Sequence, residues 1–90
     1  MVGSGKKKGT VRFSLNPRSS AGRVSVAGDF SEWKPRPLRK RVDGFSLTLA
    51  LPPGTYQYKF IVEGAWIIDP DNNQWALSPI GTMNSIVVVD

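Results

Sequence analysis

Residues Phe45–Gly64 read FSLTLALPPGTYQYKFIVEG, and the periodicity of this stretch decides the fold. Phe45, Leu47, Leu49 and Leu51 recur at every second position, which places them on one face of an extended strand. After the Pro52-Pro53-Gly54 turn, Tyr56, Tyr58, Phe60 and Val62 occupy one face, and Gln57, Lys59 and Ile61 occupy the other. The prolines fix φ for the turn and Gly54 relieves it, so the spacing predicts an antiparallel hairpin of Phe45–Leu51 with Thr55–Glu63. Outward from this stretch the same period continues. TVRFSL alternates Val11, Phe13 and Leu15 with polar residues, RVSVAG alternates Val24 and Val26, and SIVVVD closes the chain as a strand apolar on both sides. No stretch of useful length has helical period. Several strands, each with one apolar face, bury those faces against a second sheet. The expected fold is all-β, an immunoglobulin-like antiparallel β-sandwich.

Composition sets the bounds. The chain has 90 residues and no cysteine, enough for one domain without disulfides. No window approaches the length of apolar chain needed to span a bilayer. Residues 1–9 (MVGSGKKKG) are expected to be a flexible basic tail or a remnant of expression, and residues 10–90 a single domain. The lack of a signal peptide and of cysteine gives a cytoplasmic expectation. The net charge of +5 is concentrated in that tail, since beyond residue 8 nine basic residues face seven acidic ones. The cluster Lys34, Arg36, Arg39, Lys40 and Arg41 is dense but brief, and reads as a solvated rim.

Two indoles stand out because their neighbours are polar. Trp33 lies in AGDFSEWKPRP (Ala27–Pro37), a loop by composition, and Trp66 follows the Gly-containing turn VEGAW. The register above turns Lys59 outward, away from Tyr58 and Phe60. Trp66 begins a return strand near Lys59, and the Trp33 loop is placed to reach the same end of the sandwich. A tryptophan in a small sandwich commonly belongs to the core, and that is the competing reading. Displayed together, two indoles and an ammonium suit a sugar: a pyranose presents C–H bonds to the negative π face, while its hydroxyls need partners at the ring edge. Lys59, Thr82 and Asn84 would supply them. The third indole, Trp75 in NNQWALSP, reads as a loop anchor or a secondary contact.

Four motifs in this order, Gly-x-Phe-x-x-Trp (28–33), Leu-Pro-x-Gly-x-Tyr-x-Tyr-Lys-Phe (51–60), Gly-x-Trp-x-x-Asp-Pro (64–70) and Asn-Ser (84–85) before the last strand, resemble carbohydrate-binding module family 48. That family includes the glycogen-binding domain of AMP-activated protein kinase β subunits and the N-terminal domains of isoamylases and branching enzymes. The resemblance runs from Val11 to Val89. It implies an α-glucan cradled by Trp33 and Trp66, with Lys59 and Asn84 binding hydroxyls and Thr82 and Ile80 completing the rim. The sequence departs from the family pattern at Ser31-Glu32, where asparagine or glycine is frequent, and in a loop between Trp66 and Ile80 about one residue longer than usual.

The residue inventory argues against catalysis. With no histidine and no cysteine, the common nucleophile–base pairs are missing. A glycosidase needs two carboxylates flanking the scissile bond, whereas Asp69 and Asp71 in DPDN read as a turn. DPDNNQ begins like a calcium loop, but Gln74 replaces the required glycine and Ile80 the bidentate glutamate, so no metal and no cofactor is expected. The expected partner is an α-glucan, bound without being cleaved. Two other classes stand beside it: an architectural domain packing against a catalytic or kinase partner, and a single-stranded nucleic-acid module using the basic cluster beside Trp33. The near-neutral body weighs against the nucleic acid.

Overall fold

The computed structural model describes residues 2–5, 8–17, 22–42, 44–78 and 80–90. Among the described residues, ten strands form two antiparallel sheets. The first sheet has the order β1-β2-β6-β5, built from β1 (Val2–Ser4), β2 (Thr10–Leu15), β6 (Gly44–Ala50) and β5 (Arg39–Arg41). The second has the order β4-β3-β7-β10-β9, from β4 (Arg36–Pro37), β3 (Val24–Gly28), β7 (Gly54–Val62), β10 (Met83–Val89) and β9 (Trp75–Leu77), and β8 (Ala65–Ile67) pairs with β7 as a branch. This is the immunoglobulin-like β-sandwich expected from the alternation. Among the described residues, no helix is long and apolar enough to cross a membrane.

The alternating residues do what their period dictates. Phe13, Val26, Tyr58 and Phe60 are completely enclosed between the sheets, with Val11, Leu15, Val24, Phe45, Val87 and Val89 around them. The rings interlock edge to face: Phe13 lies 5.2 Å from Tyr58 and Tyr58 lies 5.9 Å from Phe60, centroid to centroid. Residues on β7 between the core aromatics, Gln57 and Lys59, point to the outer face of the second sheet, as the register required.

Two expectations need correction. The strands Phe45–Leu51 and Thr55–Glu63 do not form a hairpin: β6 pairs with β2 and β5, whereas β7 pairs with β3, β10 and β8. The Leu51–Gly54 segment crosses from one sheet to the other. Pro52 and Pro53 have no N–H to give to a ladder, and the Leu51 N–H is taken by the Gly9 carbonyl at 2.9 Å, on the β2 side. Stacked face to face, the two strands bury both apolar faces at once, which edge-to-edge pairing would not. The second correction concerns the expected tail. Val2–Ser4 pairs with Val11–Phe13 as an edge strand, and Val2 packs half-buried against the core. Lys6 and Lys7 of that segment lie outside the described residues.

A buried polar cluster ties down the long loop after β8. The Tyr58 hydroxyl donates to Asp69 Oδ2 at 2.8 Å, the Asp69 N–H donates to Ser85 Oγ at 2.8 Å, and Asn72 Nδ2 donates to the Tyr58 oxygen at 2.9 Å. Asp69 Oδ1 accepts the Asp71 N–H at 2.9 Å, an Asx turn. Burial, reinforced by the neighbouring Asp69 carboxylate, pushes the Tyr58 hydroxyl far above the ordinary tyrosine range.

Candidate glucan-binding groove

The outer face of the second sheet is where the non-core residues of β7 emerge, and a groove of about 490 Å³ lies over it. Its lining brings together all six residues singled out from the sequence: Trp33, Lys59, Trp66, Ile80, Thr82 and Asn84. Three others join them, Asp29, Gln57 and Ser78. Trp75 is absent from this lining. It sits half-exposed on β9, paired with Ser85, in a segment whose composition had read as a loop. A cleft of about 530 Å³ between the first strands and Ile86–Asp90 has, among the described residues, no aromatic platform in its walls.

Each wall of the groove has a local cause. Trp33 follows a 3-10 turn over Asp29–Ser31, and Glu32 and Trp33 both adopt positive φ, 55° and 61°. The left-handed region costs L-residues energy, so something must hold it. The Trp33 N–H donates to the Gly28 carbonyl at 2.9 Å. The Ser31 hydroxyl, itself buried, shares its one proton between the Lys34 carbonyl at 2.9 Å and the Gly28 carbonyl at 3.2 Å, and it accepts the Gly28 N–H at 3.3 Å. Ser31, one of the departures from the family pattern, is thus the knot of this loop. The Trp33 indole is half-buried, its Nε1–H donating to Asp29 Oδ1 at 3.1 Å.

Trp66 comes by a shorter route. Glu63 and Gly64 have φ of 49° and 84°, the pair of positive angles that a two-residue type I′ turn demands. Val62 then pairs with Ala65 and Ile61 with Trp66, which lays the indole on the outer face, 49% exposed. Lys59 shares the groove with both indoles from the central strand, opposite Ala27. Asn84 is buried at the floor, where its Nδ2 donates to Gln57 Oε1 at 2.9 Å and leaves its oxygen as an acceptor. The far rim is a loop closed on itself: Ser78 N–H to the Thr82 carbonyl at 2.6 Å, and the two hydroxyls 2.8 Å apart. Ile80 stands at its tip, 86% exposed.

Of the three residues that sequence reasoning missed, Gln57 was visible as the i−2 neighbour of Lys59 on the same strand face. Asp29 and Ser78 reach the groove through loop geometry, which has no period. Asp69 and Asp71, weighed as a catalytic pair, are elsewhere: Asp69 is buried in the Tyr58 cluster, and neither belongs to the groove lining.

Known proteins share this architecture. Residues 11–90 match the family described as the glycogen recognition site of AMP-activated protein kinase. The chain is 39% identical over 66 residues to the AMP-activated protein kinase subunit beta-1 of Homo sapiens, covering 73% of this chain and 24% of that protein. It is 39% identical over 67 residues to the beta-2 subunit of Mus musculus, with the same coverage. Among solved structures, a maltogenic amylase from S. marinus superposes with a TM-score of 0.76 at 25% identity, over 90% of this chain and 13% of that one. The chain spans about a quarter of the length of these two kinase subunits. A match over nearly the whole folded body, on a sandwich that displays two tryptophans over one sheet, places this chain in the family of glycogen recognition domains of AMP-activated protein kinase, a family of carbohydrate-binding modules.

Proposed function

We propose that this domain binds α-1,4-linked glucans, namely glycogen, starch and maltooligosaccharides, and does not cleave them. The observation that carries the reading is the convergence of Trp33, Lys59, Trp66, Ile80, Thr82 and Asn84 on one groove. Trp33 and Trp66 each take a glucose face. An α-linked chain curves, so two separate indoles each meet a successive ring, whereas a flat cellulose chain prefers coplanar platforms. Lys59 donates to hydroxyls, Asn84 accepts from them, and Thr82 and Ile80 close the rim. By analogy with base–aromatic stacking, each indole contributes about 1–3 kcal/mol. Edge hydrogen bonds add little net, because each replaces one to water. After the cost of association the affinity falls at about −4 to −7 kcal/mol, millimolar to micromolar. Hydrolysis is disfavoured by the lining itself: among the described residues Asp29 is its single carboxylate, and both oxygens of Asp29 already accept hydrogen bonds.

The test is an NMR titration with maltoheptaose, a cellulose oligomer and a single-stranded oligonucleotide. Shifts at Trp33, Trp66 and Asn84 with maltoheptaose alone are expected. Binding of the oligonucleotide alone, reversed by salt, would overturn the reading. A partner protein also belongs to this proposal, because in the kinase subunits and the amylase the matching region is only part of a longer chain.

A further inference from the structure

Asp29 lies in the groove at an unspecified position of the Gly-x-Phe-x-x-Trp motif, and its contacts join two elements. Its Oδ1 accepts the Trp33 Nε1–H at 3.1 Å, and its Oδ2 accepts the Gln57 backbone N–H at 2.8 Å. One carboxylate therefore bridges the edge of a loop indole to β7, the strand that carries Lys59. From there Gln57 Oε1 accepts from Asn84 Nδ2 at 2.9 Å, so the line of hydrogen bonds continues to β10 and ends at the floor of the groove. The backbone alone does not orient the ring. Trp33 has a positive φ and its loop is knotted by Ser31, but the side-chain torsions of an indole at the surface stay free unless something holds its far edge. A stacking platform that is already ordered loses less freedom when a sugar lands on it.

We infer that Asp29 is a positioning residue, which fixes the plane of the Trp33 indole relative to β7 and so presets the angle between the two platforms. The inference rests on the glucan-binding reading above. It acts through the indole N–H, and that makes it separable from a merely structural role, in which the bond to Gln57 would be the one that matters.

The experiment is a double-mutant cycle on the full chain, Asp29→Asn against Trp33→Phe, read by maltoheptaose affinity. Asparagine is isosteric but presents one acceptor where the carboxylate presents two. Phenylalanine keeps a stacking face and has no N–H. Asp29→Asn is expected to weaken binding about fivefold in the native background, the worth of one net hydrogen bond, and less than about twofold in Trp33→Phe. Equal weakening in both backgrounds, or none in the native one, overturns the inference. A ligand-free arm keeps the two readings apart: the Trp33 Hε1 resonance should move upfield in Asp29→Asn as the indole loses its carboxylate, and an unmoved resonance overturns the positioning role. If the native protein binds no maltoheptaose, the functional reading falls and this resonance alone decides the role of Asp29. Should Asp29→Asn fail to fold, replacing Trp33 by benzothienylalanine removes the N–H and leaves Asp29 in place. The same loss of affinity then supports the inference, and unchanged affinity overturns it.

Discussion

Lys59 and Tyr58 are adjacent in the chain and belong to opposite worlds, one on the groove and one in the core. Lys59→Ala is therefore expected to weaken maltoheptaose binding severalfold while changing stability by less than about 0.5 kcal/mol. Calorimetric titration and thermal unfolding on the same sample check both halves. Trp33→Ala and Trp66→Ala should each remove most measurable binding, since losing either stack leaves little surplus over the cost of association. Tyr58→Phe belongs to the other world. It deletes the hydroxyl that serves both Asp69 and Asn72, and should cost about 1–3 kcal/mol with glucan affinity retained. It also carries a pH signature. The folded state holds the Tyr58 proton to higher pH than the unfolded chain, whose tyrosines ionise near pH 10. Its contribution is thus complete below about pH 10 and declines as pH rises above that value. Melting temperatures from pH 8 to 11 should fall more steeply for the native protein than for Tyr58→Phe.

At the scale of elements, period-two alternation made the strands and their faces legible, because which side chain is buried depends only on parity. Pairing was not legible in the same way. β6 and β7 have the alternation and the turn of a hairpin, yet the same apolar faces are satisfied by stacking across the sandwich, and two prolines tip the choice. β9 and β1 were missed because three residues show no period, and their existence depends on the neighbours they pair with. The six groove residues were legible partly by parity and partly by resemblance to a family, whereas Asp29 was hidden because its role rests on a contact 28 positions away in sequence, with Gln57. Gly28 shows how tightly the Trp33 loop is fitted to its strand. A Cβ there would sit 2.5 Å from the Gln57 carbonyl oxygen and 2.6 Å from the Phe30 ring. Gly28→Ala should therefore destabilise by about 1–3 kcal/mol or more, because the β7 backbone cannot retreat. Thermal or urea unfolding measures it.

For the molecule as a whole, the basic cluster from Lys34 to Arg41 stands outside the groove lining. Arg36, Arg39, Lys40 and Arg41 lie exposed on β4 and β5, the edge strands of the two sheets, where charge discourages a stray chain from adding to the ladder. Among the described residues, the groove lining has one lysine, Lys59. Maltoheptaose affinity should accordingly change less than about twofold between 50 and 500 mM salt, in contrast to the steep loss expected of phosphate contacts. A titration series at both salt concentrations decides it.

From Tyr58 to Val62, β7 is hydrogen-bonded along one edge to β3 and along the other to β10 and β8, so its amides there are among the last that solvent deuterium can reach. The groove is thus floored by a strand whose exchange is nearly silent before any sugar arrives. Glucan occupancy should barely slow deuteration of β7. Its footprint in a hydrogen–deuterium exchange map belongs to the two loops that carry Trp33 and Ile80, whose backbone flanks the site outside the sheet ladders.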